Sequence, residues 1–409
     1  AKSMKKCWII SEYAYPVVVT TGYYVTEIAE YIASKGLEVG VITTNNIYYT
    51  SDKVSDSIHE HHNGVEYFRT LGKQVDKDHL IKRVWRLLLS SFQLVRLAKN
   101  NIQEGDVVVC LTNPAFFMLF MPWVRKKTKC QYHILVHDIF PENLVSIGKL
   151  TKKGLAYSLL KNVFDKAYTA ADSCISIGCD MSKVIESKTR GKKDIPLITN
   201  WADVNDVQPI TKESTRLYQE YEKKLKNKFV FQFAGNLGKA QGIDNALIAF
   251  GKVSNPNVAF LFVGAGAKTA EIEAFAKSHT NVTFAGFRDR TTQNDFLNCC
   301  DVGIVTLADG MYGLGVPSKS YNIMATGKPI LYIGESDSEI ATNIQKYGMG
   351  WVVEPNNPEQ LKDTIEQIVS NPDAINEMGR KALWVACNVF AKNVVLERYY
   401  QFISQKFEE

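Results

Sequence analysis

Two periodicities alternate along almost the whole chain. Short apolar, β-branched runs at Lys6–Ser11, Glu38–Thr43, Asp106–Thr112, Gln131–His137 and Ser173–Ile177 predict strands. Between them lie helical patterns such as Tyr23–Lys35, where Val25, Ile28, Ala29 and Ile32 mark one face and Gly36 offers a C-cap. A polar stretch rich in Lys and Glu, Asp203–Lys228, interrupts the series and reads as a linker. The alternation then resumes at Phe229–Ala234, Val258–Val263, Val282–Phe284, Val302–Thr306, Pro329–Ile333 and Trp351–Val353. Strands that alternate with helices pair in parallel through crossovers. The fold class expected is therefore α/β, with two Rossmann-like doubly wound domains over residues 4–202 and 203–387. Two helical patterns, Asn371–Ala386 and Asn388–Lys406, end the chain, and the second is longer than the C-terminal domain needs. Ligands of such sheets bind beyond the carboxyl ends of the strands, so the chemistry is expected in the cleft between the domains.

Composition narrows the class without changing the fold. The 409 residues are 45% hydrophobic and 22% charged, which excludes disordered, collagen-like and coiled-coil chains. The eight cysteines form no CxxC pair and mostly sit in apolar runs, as reduced thiols of a cytoplasmic protein do. No secretory leader is recognised, and apolar stretches are broken by charge well before the roughly 18 residues of a spanning helix. Net charge is +5, yet residues 1–200 carry 27 Lys/Arg against 19 Asp/Glu, whereas residues 201–409 carry 21 against 24. That asymmetry points the first half at an anionic partner. No nucleic-acid-binding motif accompanies it, which leaves a phospholipid surface or a phosphate-bearing substrate.

Several segments follow strands, where site residues belong. After the first strand, Tyr13–Gly22 leads into a helix, and Thr21 and Gly22 stand at its start as a candidate acceptor loop; an ordinary βα turn has the same sequence. Gly264-Ala265-Gly266-Ala267 is half a dinucleotide fingerprint, with Thr269 at the third glycine position and Asp289 a poor match to the ribose-binding acid. Gly313-Leu314-Gly315-Val316-Pro317-Ser318-Lys319 combines flexible backbone, helix-start residues and a cation in the first turn. A cation there opposes the helix dipole unless an anion lies between, so the segment reads as a diphosphate site against a plain capped helix. His137-Asp138-Ile139-Phe140-Pro141-Glu142 closes another strand with a histidine and two carboxylates. His59-Glu60-His61-His62 is read as a solvated loop and not a metal cluster, and Asp76-Lys77-Asp78 lies in the wrong context for a sugar-transfer DxD, so no metal site is expected. Finally, residues 79–103 interleave Lys82, Arg83, Arg86, Arg96 and Lys99 with Trp and Leu and hold no acid, and residues 123–129 add a basic-aromatic patch. Both fit an anionic membrane interface, or a core helix with a solvated basic face.

These motifs together resemble the family 4 glycosyltransferases of the two-Rossmann GT-B type, especially those of bacterial capsule, O-antigen and colanic-acid assembly. The resemblance runs from Met4 to about Ala386 and is carried by Val136–Glu142, by Phe233-Ala-Gly-Asn-Leu-Gly-Lys-Ala-Gln-Gly242, and by Val316-Pro-Ser-Lys-Ser-Tyr-Asn-Ile-Met-Ala-Thr-Gly-Lys-Pro329. It implies a nucleotide-sugar donor held mainly by the C-terminal domain, an acceptor held by the N-terminal domain, and retaining transfer without metal or other cofactor. It implies contact of His137 with the donor sugar. Of the two carboxylates that follow, Asp138 or Glu142 is the group placed to position or deprotonate the acceptor hydroxyl. Donor binding then falls to Gly235, Asn236, Lys239, Gly264, Phe287, Arg288, Gly313, Gly315, Ser318, Lys319 and Asn322. Residues 388–409 would cross back onto the N-terminal domain.

The sequence departs from the family at four places. The common Arg and Lys of the Gly-Arg-Leu-x3-Lys-Gly segment fall on Asn236 and Gln241, and the Glu-x7-Glu pair falls on Leu314 and Asn322. Lys239, Arg288 or Lys319 is left to supply the positive charge. The implied acceptor is a polyprenyl-diphosphate-linked sugar at the inner face of the plasma membrane, and the donor a UDP-sugar before a GDP-sugar. Two other readings stay open: a GT-B nucleotide-sugar 2-epimerase, and a non-catalytic nucleotide-sugar-binding partner.

Overall fold

A computed structural model describes residues 4–18, 20–45, 58–70, 80–146 and 148–409. The chain divides into two compact units, residues 1–198 with 395–409, and residues 199–394.

The described residues of unit 1 form seven strands: β1 (Lys6–Ile10), β2 (Glu38–Thr44), β3 (His59–His62), β4 (Val65–Thr70), β5 (Val107–Leu111), β6 (Gln131–Val136) and β7 (Ser173–Ser176). Their order is β3-β4-β2-β1-β5-β6-β7, parallel except for the β3–β4 hairpin. Central strands such as β5 are buried at every position, as expected of a sheet covered on both faces. Helix α1 (Thr20–Ser34) joins β1 to β2, buries Val25, Ile28, Ala29 and Ile32, and is followed by Gly36 at φ +94°. Helix α2 (Leu80–Asn101) joins β4 to β5, α3 (Met121–Thr128) joins β5 to β6, and α4 (Glu142–Ser146) and α5 (Leu155–Ala170) join β6 to β7. Helix α6 (Cys179–Lys188) follows β7. The crossovers through α2, α3 and α5 all run one way along the sheet and that through α1 runs the other. Right-handed connection therefore puts α2, α3 and α5 on one face and α1 on the opposite one.

Unit 2 carries β8 (Phe229–Ala234), β9 (Val258–Val263), β10 (Val282–Gly286), β11 (Val302–Thr306), β12 (Ile330–Ile333) and β13 (Gly350–Val353), all parallel in the order β10-β9-β8-β11-β12-β13. The chain winds outward in opposite directions from β8 and β11, which makes the gap between their carboxyl ends the topological switch point of the sheet.

Two expectations need correction. Residues 203–228 are not a bare linker: short helices Arg216–Glu220 and Glu222–Leu225 bury Leu217, Tyr218 and Leu225, and Lys212 is paired with Asp301 at 2.6 Å. Residues 59–62 are strand β3 and not a loop, turned onto β4 by Asn63 and Gly64, both at positive φ. The final helix runs from Lys392 to Glu408, and its part from Val395 onward belongs to unit 1. All eight cysteines are free, and six of them are buried. Among the described residues no helix is long and apolar enough to cross a membrane.

Candidate active site

Of the residues expected at a donor site, Gly235, Asn236, Gly264 and Lys319 are brought together at the carboxyl ends of β8 and β9. Gly235 follows β8 at φ +133° and Gly264 follows β9 at φ +141°, conformations that only glycine adopts readily. A Cβ on Gly264 would stand 1.8 Å from the Gly235 carbonyl oxygen, and one on Gly266 would stand 2.7 Å from Asn236 Oδ1. The ends of two neighbouring strands are thus packed backbone on backbone, with no side chain between them.

Lys319, the first residue of the helix Lys319–Ala325, lies over this surface. A Cβ on Gly235 would meet its Cε at 1.9 Å, and its Nζ stands 4.9 Å from the centre of the Phe233 ring. Among the described residues no carboxylate reaches it. Desolvation lowers its pKa to about 8. The residue is only partly buried, yet its ammonium has no carboxylate partner among the described residues, an arrangement that can receive an anion. Just beyond β11, Gly313 turns the loop at φ +70°. Ser318 flanks the helix but makes no side-chain cap. Lys239 is exposed on a short helical turn, and Phe287 is exposed as well.

Two expected donor residues are engaged elsewhere. Arg288 makes a two-pronged pair with Glu220, at 2.7 and 2.9 Å, and also donates to the Ala285 carbonyl. It already has its counter-ion, so Lys319 and Lys239 remain as the cations. Asn322 accepts from the Asp203 backbone N–H at 2.9 Å and donates to Gln293 Oε1 at 3.4 Å, which makes it a clamp within unit 2. Sequence reading missed Glu220 and Gln293, because neither lies near its partner in the chain. It also missed Thr306, whose hydroxyl is buried without a partner at the carboxyl end of β11. One open hollow of about 790 Å³, lined by Lys223, Lys224 and Lys277, lies at the amino ends of β8 and β9, remote from these residues.

In unit 1, His137 follows β6. Its backbone N–H donates to Thr112 Oγ1 at 3.3 Å and its ring meets Tyr24 edge-on. Its Nε2 is buried without a hydrogen-bond partner, and desolvation lowers the ring's pKa to about 4, so the imidazole is neutral near pH 7. Asp138 is exposed beside it. Glu142 opens α4, and both its oxygens accept from Lys188 on α6, at 2.7 and 2.9 Å. Lys188, itself only 5% exposed, also pairs with Asp165 on α5 at 2.6 Å. Gly22 lies in the first turns of α1 with Thr21, and a Cβ on it would come 2.8 Å from the Val17 carbonyl. Its missing Cβ makes room for the chain's own loop.

On the opposite face from α1, helix α2 exposes Ile81, Trp85, Leu89 and Phe92, along with Lys82, Arg96 and Lys99. Trp123 on α3 is exposed too, with Lys99 and Lys127 close to its ring. Arg125 of the same patch is turned onto Asp172 and the Ala170 carbonyl. Across the β3–β4 hairpin, ligand atoms of His59, His61 and Glu66 lie within 4.8 Å of one another, but Glu66 already pairs with Lys6. The Asp76-Lys77-Asp78 motif lies outside the described residues.

Residues 215–383 match the family described as glycosyl transferases group 1. WbjE of Pseudomonas aeruginosa, named a probable glycosyltransferase, is 35% identical over 367 residues, covering 89% of this chain and 90% of WbjE. WcaI of Escherichia coli K12, named as a candidate colanic acid biosynthesis glycosyl transferase, is 22% identical over 87% of this chain and 90% of its own. Among solved structures, Alr3699/HepE of Anabaena in complex with UDP superposes with a TM-score of 0.69 at 14% identity, covering 98% of this chain and 100% of that one. Likeness at that identity speaks for the fold, which is GT-B; the identity to WbjE across nine-tenths of both chains speaks for the family. The chain is a glycosyltransferase and belongs to the group 1 glycosyl transferases.

Proposed function

We propose that the chain transfers a sugar from a nucleotide-sugar donor, a UDP-sugar before a GDP-sugar, to a lipid-linked sugar acceptor in surface polysaccharide biosynthesis. Configuration at the anomeric carbon is retained, and neither a metal nor another cofactor takes part. The observation that carries this reading is Lys319, a desolvated ammonium without a counter-ion against the Gly235 backbone. The UDP held by HepE and the pathway named for WcaI favour the donor and the setting.

In this mechanism the bond from the anomeric carbon to the diphosphate oxygen breaks, and the nucleoside diphosphate leaves with the electron pair. Its growing charge is stabilised by Lys319, by the backbone N–H groups of Gly315, Val316 and Ser318, and by Lys239; electrostatic stabilisation of this kind is the largest contribution in such a reaction. Gly235, Asn236, Gly264 and Gly313 form the floor, and Phe287 and Arg288 border the base. Neutral His137 steadies the donor sugar and the developing oxocarbenium charge. The acceptor oxygen bonds to the same face of the sugar, and Asp138 takes its proton. Glu142, held by Lys188, is the weaker choice for that task. The acceptor is a polyprenyl-diphosphate-linked sugar, met with α2 and α3 against the anionic inner face of the plasma membrane.

Calorimetric titration with UDP, GDP, dTDP and CMP in EDTA tests the donor site. Selective binding of one nucleotide, at least tenfold weaker in Lys319→Ala, is expected. Absence of binding at millimolar concentration would turn the reading toward a non-catalytic protein. Conversion of one sugar nucleotide into its epimer without any acceptor would turn it toward an epimerase.

A further inference from the structure

Helix α5 carries a second uncovered apolar stripe. Leu155, Leu159 and Val163 are 86%, 63% and 39% exposed, and their spacing of four residues sets them on one line of a helix about 24 Å long. Water should drive such a line of large aliphatic side chains under cover. Within the described part of unit 1 nothing covers it. Lysines bracket the stripe: Lys149, Lys152 and Lys153 precede it, and Lys166 follows it. All four are exposed, and among the described residues none has a carboxylate partner. No Asp or Glu occurs from residue 143 to 164. The first acid after that gap, Asp165, is already shared between Lys161 and Lys188.

Helix α5 lies in the layer that holds α2. The right-handed crossovers place α5 on the same sheet face as α2 and α3. A short turn, Ala115–Phe120, links them: its Phe120 ring meets Phe92 of α2 at 5.2 Å, and its Phe116 ring meets Phe164 of α5 at 6.1 Å.

We infer that α5 is a second membrane-contacting helix, so that unit 1 rests on an anionic bilayer along two lines. Leu155, Leu159 and Val163 enter the acyl boundary while the flanking lysines meet lipid phosphates. The inference rests on the reading that α2 faces a membrane. Charge selects this occupant over a second copy of the chain. A two-fold contact through the stripe would set lysines near lysines with no uncommitted acid to offset them, whereas a bilayer supplies the anions. Two lines of contact also fix the roll of unit 1 about an axis in the membrane plane, which one helix alone leaves open.

The test uses the full chain and vesicles of phosphatidylcholine, with and without 30% phosphatidylglycerol. Leu155→Ser/Leu159→Ser is expected to weaken binding to the anionic vesicles about tenfold, and Lys152→Glu/Lys153→Glu to remove most of the preference for them. Both pairs lie on the surface, and an unchanged thermal shift with nucleotide verifies that the protein is folded. Trp85→Ser/Leu89→Ser reports on α2 separately. If that variant loses binding while both α5 variants bind as the parent does, α5 is not a membrane element and the α2 reading survives. If the α5 variants lose binding and the α2 variant does not, the α2 reading falls and the two-line inference falls with it, leaving α5 as a single line of contact. A parent chain that binds neither vesicle overturns both. A dimer in solution that Leu155→Ser/Leu159→Ser converts to monomer overturns the inference in favour of a subunit interface.

Discussion

Lys319 is a lysine whose surroundings shift its titration. Its folded pKa of about 8 lies below the 10.5 of a free lysine, so between those values the unfolded state binds more protons. The ligand-free protein therefore gains stability from this site as pH rises from about 8 toward 10.5, and at neutral pH it is destabilised by the partly desolvated cation. Lys319→Met is expected to raise the melting temperature of the ligand-free protein at pH 7 by about 3 °C or more, while removing the thermal shift given by a nucleoside diphosphate. Diphosphate binding should in turn restore the proton. Titration at pH 8 in buffers of different ionisation enthalpy should register uptake of about half a proton per nucleotide, and affinity should fall as pH passes above 8. Loss of affinity with no change in stability and no proton uptake would mean that Lys319 acts by packing and not by charge.

Between elements, side chains distant in sequence decide which carboxylate remains available. Lys188 ties α4 to α5 and α6 through Glu142 and Asp165, so Glu142 serves as a tether of the segment after β6. Asp138→Asn is expected to lower kcat by a hundredfold or more, in the range of about 10² to 10⁴ for a general base. Glu142→Gln should leave kcat within about threefold, yet lower stability, because it removes one of the two negative charges and one acceptor oxygen from the buried Lys188 ammonium. Steady-state kinetics with denaturant unfolding separates the two, and equal losses of kcat would return Glu142 to the chemistry. The strand pattern was legible because strands such as Val107–Leu111 are apolar at every position, the mark of burial on both faces. The hairpin His59–Thr70 was not: its edge strand His-Glu-His-His holds no apolar residue, and its structure comes from the Asn63-Gly64 turn and pairing with β4. The same limit applies within the site. The glycines and Lys319 announce themselves locally, but Glu220 takes Arg288 from 68 residues away and the Asp203 backbone takes Asn322 from 119 away. Local reading sees a charge or an amide without its partner.

At the scale of the molecule, the charge divides by unit. Unit 1 holds 29 Lys/Arg against 22 Asp/Glu, and unit 2 holds 19 against 21. An excess spread over an exposed surface acts at a distance and is screened within about 8–10 Å at physiological salt, whereas a desolvated contact such as that of Lys319 is screened much less. Salt therefore separates the two roles proposed for positive charge. Raising NaCl from about 0.05 to 0.5 M, which shortens the screening length severalfold, should cut partition onto anionic vesicles by more than tenfold, as expected for several exposed lysines acting together. Over the same range the affinity for a nucleoside diphosphate should change by less than about threefold. Turnover of an acceptor embedded in vesicles should follow the first curve, and turnover of a short-chain, water-soluble acceptor the second. If both acceptors lose turnover in parallel with nucleotide affinity, the basic excess serves the donor site and not the membrane. If the embedded acceptor alone responds, the surface that finds the membrane and the site that carries out transfer are electrostatically separate, and each can be altered without the other.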